Sequence, residues 1–463
     1  MLLHYCGLVR NDRITGKSPH HLKNPLVHFL CVCYNLFNIF RENHFSGGYF
    51  MEYHILMELA SELGSRLAVA GAETYRIEES IVRVLAAYGL DSRVYSVPNS
   101  LFITIMVPGQ LPITQLCRMK NVGTDLDAVE KYNNLSRRIC AQRPDPEVAL
   151  QWLEETEKTR KQYTFPKILY GHVLVACGLC LFYGGNLSDV ICAGLCGLFL
   201  GLFDTFLGKY NSNAFFQKIA SGFAMALFAY ILADAGMARN IDTSVIGTLM
   251  LLVPGLLFTN SLRDIIFGDI NSGVNRLVTA LLTAAAVALG TAAAWNTAQH
   301  LWGIPAVPAP LAHSPLITCI GTGIACTGFL YVWNIHGAGK WLCPVGGFLT
   351  WAVFCLAKEL GFGYAMCCLF GTLFAATYAE VMARIRKYPA ISYLVIGLIS
   401  LIPGSNIYYT AQQAIQGNMD RFVQEGTLLI ITAGVMAVGI ILVSSAARII
   451  HPLHPPVKIS VKK

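Results

Sequence analysis

Between residues 168 and 447 the chain is a succession of apolar runs joined by short connections, and this limits its fold more than any other feature. Hydrocarbon offers backbone N–H and C=O groups no partner, so a chain crosses it as helices or as a closed barrel. The runs lack period-two alternation and have helical lengths. Ten spans are expected: 168–183, 188–207, 214–234, 241–258 and 274–297, then 314–335, 341–357, 364–383, 390–408 and 427–447. Charged residues make up 13% of the chain, against about 25% in soluble proteins, and they gather in residues 1–167. The formal charge of +7 calls for no nucleic acid, because membrane proteins carry extra Lys and Arg at their cytoplasmic edges. With residues 51–165 in the cytoplasm, twelve Lys and Arg fall in inside loops and the C-terminal tail, among them Lys209, Lys218, Arg263, Arg276, Lys340 and Arg384. Arg239, Lys358 and Arg421 fall outside. The expectation is a multi-pass plasma-membrane protein with both termini cytoplasmic and the lipid bilayer as its first partner.

One phrase is written twice. "LVPGLLFTNSLRDIIFGD" (252–269) returns as "LIPGSNIYYTAQQAIQGN" (401–418), and a constant offset of 149 also aligns Ala176-Cys177 with Ala325-Cys326 and Gly222 with Gly371. Each half holds five spans. Five is odd, so the second copy enters the membrane inverted relative to the first. Inverted repeats in secondary transporters place the substrate site at the repeat interface, on discontinuous helices. Pro254-Gly255 and Pro403-Gly404 are the interruptions expected there. Only the first copy keeps charges: Arg263-Asp264 becomes Gln412-Gln413, and Asp269 becomes Asn418. Thr259, Asn260, Arg263 and Asp264 share one helical face.

Ahead of the membrane, residues 51–165 read as a small α+β domain. Ile55, Leu59, Leu63 and Leu67 form one helical stripe; Ile77, Ile81, Val84 and Leu85 form a second, ended by Gly89. A turn at Asn99-Ser100 leads into alternating Leu101, Ile103 and Ile105. Thr124 is expected to cap a third helix, and Asp145-Pro146 to open a fourth. Residues 1–50 form a doubtful extension, expected to be disordered, and Met51 is a candidate translation start. The membrane cysteines sit within apolar runs, where a thiol behaves as a small hydrophobe, so neither metal nor cofactor is expected.

Each candidate functional residue has a plain counterpart. Arg263 could grip a carboxylate, or be a positive-inside anchor on an interfacial helix. Asp264 and Asp269 could carry protons. Asp204 could do the same, or be a solvated end charge. Glu380 reads as a partner of Arg384. Tyr408 could line a pathway, or belong to an interfacial aromatic belt. Glu73, Arg76, Glu78 and Glu79 suggest acid–base chemistry, but no nucleophile accompanies them, and carboxylates at a helix start are routine. No Walker pattern is present, which disfavours an ATP-driven pump.

With these motifs in hand, the sequence resembles the threonine/serine exporter family. "GAETYRIEES" (71–80) and "GTDLDAVEKYNNLSRR" (123–138) are similar to that family's N-terminal signatures. "PGLLFTNSLRDIIFGDINSGVNRL" (254–277) and "LIPGSNIYY" (401–409) are similar to its membrane signatures. The resemblance implies proton-motive-force-driven export of small polar metabolites, with L-threonine and L-serine as substrates and protons as coupling ion. Split-chain relatives imply dicarboxylate (succinate) export as an alternative. A membrane-anchored hydrolase and a passive channel are the readings from other classes, and a homo-oligomer stays open. The expected fold is an α-helical integral membrane protein: a cytoplasmic α+β domain at 51–165, inverted five-helix repeats at 166–300 and 301–450, and a tail at 451–463.

Overall fold

The structure, a computed structural model, describes residues 47–107, 109–119, 123–210, 213–304, 308–337, 339–386 and 390–450. The expectations for residues 1–46 and for the tail 451–463 lie outside these. The soluble part runs α1 (Gly47–Val69), α2 (Thr74–Ala87), β1 (Asp91–Val97), β2 (Ser100–Met106), β3 (Ile113–Arg118), α3 (Leu126–Gln142) and α4 (Pro146–Lys158). Its antiparallel sheet has the order β1-β2-β3. Leu101, Ile103 and Ile105 are fully buried in one core with Leu59, Leu63, Ile81 and Leu85, the residues of the helical stripes.

Two local expectations move by one residue. Val97 pairs with Ser100, so the β1–β2 turn is Pro98-Asn99, where proline already holds the φ a turn needs. The cap of α3 is Asp125, not Thr124: its carboxylate accepts from the Ala128 amide at 3.0 Å. β3 was not foreseen. It is an edge strand whose residues are mostly exposed, and it carries little apolar pattern.

The apolar part runs α5 (Phe165–Phe182), α6 (Leu187–Gly208), α7 (Ala214–Asp234), α8 (Ile241–Leu249), α9 (Gly255–Phe267) and α10 (Ile270–Leu301). It continues with α11 (Pro315–Val332), α12 (Leu342–Glu359), α13 (Tyr364–Arg386), α14 (Ala390–Gly397), α15 (Gly404–Ile415) and α16 (Met419–Ile450). Among the described residues, eight helices are long and apolar enough to cross a membrane: α5, α6, α7, α10, α11, α12, α13 and α16. This is a helical, multi-pass membrane protein. The remaining two expected spans, 241–258 and 390–408, are each two short helices parted at Pro-Gly.

The two breaks repeat each other hydrogen bond by hydrogen bond. Val253 N–H donates to Leu249 O and Ile402 N–H to Leu398 O, both at 3.0 Å. Gly255 N–H then reaches back to Val253 O at 3.0 Å, and Gly404 N–H to Ile402 O at 2.7 Å. The proline between has φ −84°, ψ 48° in the first break and φ −76°, ψ 48° in the second. Each break is an inverse γ-turn centred on proline, whose ring supplies the φ that turn requires.

Small residues let α5 and α11 lie backbone to backbone. A Cβ on Gly178 would overlap the Ala325 amide and lie 2.6 Å from Gly321 O, and Gly321 and Gly328 press back on α5 in the same way. The connections sort to two ends. At one end the α10–α11 connection packs on the α5–α6 and α7–α8 turns, with Leu311 N–H on Gly184 O at 2.9 Å and Asn240 Nδ2 on Pro308 O at 2.6 Å. The soluble part sits at the other end, against α9, the start of α10, and the α11–α12 connection.

Gly178→Val should force the α5–α11 seam apart and cost about 1–3 kcal/mol, as overpacking does. Gly434 meets open space, so Gly434→Val should be near neutral. Thermal melting of the two purified variants in detergent checks both outcomes.

Candidate functional site

Both breaks open onto one cavity of about 530 Å³, within the range of small-molecule sites. Its floor is where the breaks meet. A Cβ on Gly255 would overlap Cγ2 of Ile402 and lie 3.3 Å from the Cα of Gly404, so a side chain there would push the two breaks against each other. Its roof is the soluble part, through Glu73, Thr74, Asn99 and Thr124. Its side walls include Asn260, Asn275 and Arg276 from the first half, and Trp333, Val395 and Ser400 from the second.

A buried charged cluster ties roof to wall. Glu73 (6% exposed) takes Arg263 (3%) through Oε1 at 2.6 Å and Arg76 through Oε2 at 3.2 Å. Asp264 (4%) stands 3.6 Å from Arg263 and, through Oδ2, 3.3 Å from Arg276. Arg276 also donates to Thr74 Oγ1 at 3.0 Å, and Thr74 Oγ1 meets Ser272 Oγ at 3.0 Å. Burial alone would raise Glu73, but the guanidiniums of Arg263 and Arg76 outweigh it and hold the carboxyl at about 2. Glu73 is therefore locked in its charged form.

The structure distributes the sequence candidates unevenly. Pro254, Gly255, Asn260 and Gly404 line the cavity. Arg263 and Asp264 stand behind the wall, in the charged cluster. Thr259 is buried and its hydroxyl donates back to Gly255 O at 3.2 Å, bracing the break. Asp269 is the N-cap of α10, just after Gly268 in the left-handed region. Pro403 centres the second turn. Tyr408 is buried with its hydroxyl 3.1 Å from Thr291 Oγ1, in a packed core. Asp204 lies elsewhere, hydrogen-bonded to Ser221 at 2.5 Å and 3.6 Å from Lys218. Glu380 pairs with Arg384 at 3.7 Å, as its spacing predicts.

Reading the sequence alone missed two residues. Glu73 looked like an ordinary helix-start charge, and only its tertiary contact with a residue 190 positions on makes it special. In the sequence Arg276 reads solely as a positive-inside charge. Its place in "SGVNRL", a quarter-turn from Asn275 on a helix that follows the charged segment, was the available signal.

Comparison with known proteins bears directly on this arrangement. A family model described as "Putative threonine/serine exporter" matches residues 58–298, spanning the roof, the charged cluster and the first break. The chain belongs to the threonine/serine exporter family. A second model, "Threonine/Serine exporter, ThrE", matches residues 318–446, which contain the second break. Among curated relatives, "Threonine/serine exporter" of Corynebacterium glutamicum is 24% identical over 420 residues, covering 85% of this chain and 82% of that protein. "Probable threonine/serine exporter" of Mycobacterium tuberculosis is 19% identical over 370 residues, covering 76% and 69%. No solved structure matches.

Within this exporter-family chain, Glu73→Gln removes the carboxylate 2.6 Å from buried Arg263 and leaves it only Asp264, 3.6 Å away. Breaking a buried pair from one side costs about 3–5 kcal/mol, so the soluble part should loosen. Trypsin cleavage at Arg160 and Lys161 should accelerate. The pH dependence follows from the sign of the shift. Glu73 sits at about 2 when folded against an ordinary 4.5, so its contribution is complete above 4.5 and is lost as pH falls from there towards 2. Melting curves between pH 7 and pH 3 should show this loss in the wild type and not in E73Q.

Proposed function

We propose that the chain is a plasma-membrane exporter of L-threonine and L-serine, driven by the proton-motive force. The observation that carries this reading is the single cavity into which both Pro-Gly breaks open. Ten crossings, with α8–α9 and α14–α15 as the two broken ones, give two five-crossing repeats of opposite orientation. The soluble part then lies in the cytoplasm, over the inner mouth. The sorting of connections to two ends supports this, because the soluble part, Arg263, Arg276 and Lys340 share one end.

The break chemistry suits a zwitterion. The first N–H groups of α9 and α15 have no intrahelical acceptor, and their helix dipoles favour a carboxylate. The C-terminal ends of α8 and α14 carry the opposite, negative end of the helix dipole, which favours an ammonium. Asn260 orients the bound substrate, and Arg263 holds the roof in place. Asp264, buried beside Arg276 and Arg263, is the foremost proton carrier, with Asp269 and Asp204 as further candidates. Rocking of one half against the other opens the cavity alternately to each side.

Vesicles containing the purified chain test the reading, with labelled threonine, serine and succinate followed across an imposed pH gradient. Gradient-driven movement of the two amino acids is expected. Succinate movement alone would reassign the substrate, and flux indifferent to an uncoupler would make the protein a passive channel. Asp264→Asn should flatten the pH dependence of transport and lower its gradient-driven rate by about tenfold or more. An unchanged profile in a folded variant removes Asp264 from the coupling.

A further inference from the structure

Three guanidiniums enter the buried cluster, and they face different things. Arg76 and Arg263 turn to Glu73 behind the wall. Arg276 is the one of the three that lines the cavity. Its Nη1 stands 3.3 Å from Asp264 Oδ2, and its Nη2 donates to Thr74 Oγ1 at 3.0 Å. Strong guanidinium–carboxylate contacts measure about 2.7–2.9 Å, so Asp264 holds Arg276 loosely. A fork of five donors keeps capacity for a second carboxylate. Asn260 and Asn275 stand in the same wall with amide groups for a substrate's remaining polar atoms.

We propose that Arg276 seats the substrate carboxylate at the roof end of the cavity, and that Thr74 of the soluble part completes the seat. This rests on the exporter reading above and adds to it an entry station separate from the breaks. The seat is shared: Glu73, fixed by Arg263, sets the position of Thr74, so Arg263 is a positioning residue for it. The seat is also one-sided. At the equivalent position 149 residues on stands Glu425, whose Oε2 accepts from Asn406 Nδ2 at 3.0 Å. The second half has a carboxylate where the first has a guanidinium.

The test is initial-rate threonine transport by full-length wild type, R276K, R276Q and T74A in vesicles. Losing a charge-assisted fork should raise KM for threonine by roughly 10- to 100-fold in R276Q, with the maximal rate largely kept. R276K should lie between, since an ammonium cannot reproduce the fork, and T74A should raise KM by a few fold. A purely structural role would instead lower the maximal rate and the melting temperature at unchanged KM, and that result overturns the seat. Should R276Q not fold, R276K decides, and a wild-type KM there overturns it equally. Wild-type vesicles that move neither threonine nor serine would sink the exporter reading, and the seat falls with it.

Discussion

A helix interrupted at membrane depth leaves backbone groups that hydrocarbon cannot satisfy, so every interruption must be enclosed by protein. This chain interrupts its apolar runs twice with one device. Proline closes an inverse γ-turn, the following glycine amide turns back to the residue before the proline, and the two turns are then set against each other. Together they form the floor of a cavity, where Gly255 lies close to Gly404 and to the Ile402 side chain. The position of the cavity, the pairing of short helices, and the need for two halves all follow from enclosing those few backbone groups.

The soluble part is joined to both halves by different chemistry. To the first half it offers Glu73 and Thr74, buried against Arg263, Arg276 and Ser272. To the second it offers Asp125, which accepts from Asn334 at 3.0 Å, and Tyr163, whose hydroxyl donates to Ile335 O at 2.8 Å. Desolvating charges is costly, and a buried ion pair is a weak source of net stability. The charged joint is better understood as a fixed register: it accepts one docking geometry and penalises the others by leaving a charge unpaired.

Much of this was legible in the sequence because the features are periodic or chemically forced. Helix stripes such as Leu59, Leu63 and Leu67, the apolar runs, and the doubled Pro-Gly each report directly on backbone geometry. The offset of 149 carries through to the ends of the last helix in each half, Ile270–Leu301 and Met419–Ile450. What was illegible depends on contacts across the chain. Nothing near Glu73 announces Arg263, and nothing near Arg276 announces a cavity wall. Arg263 and Arg276 look alike in sequence, each a basic residue near a membrane edge, and only packing turns one towards the roof and the other towards the cavity. β3 escaped for a different reason: an edge strand with most of its residues in solvent has no buried face to impose alternation.

The α5–α11 seam has a consequence for how the protein is made. Gly178 and Ala325 touch across that seam but are separated by 147 residues of chain. At synthesis rates of about 5–20 residues per second, the glycine face of α5 waits on the order of 10–30 s before its partner exists. During that interval the first half has its break at Pro254 without the break that encloses it. The nascent first half is therefore an open intermediate, and its survival in the bilayer depends on whatever holds it until the second half arrives.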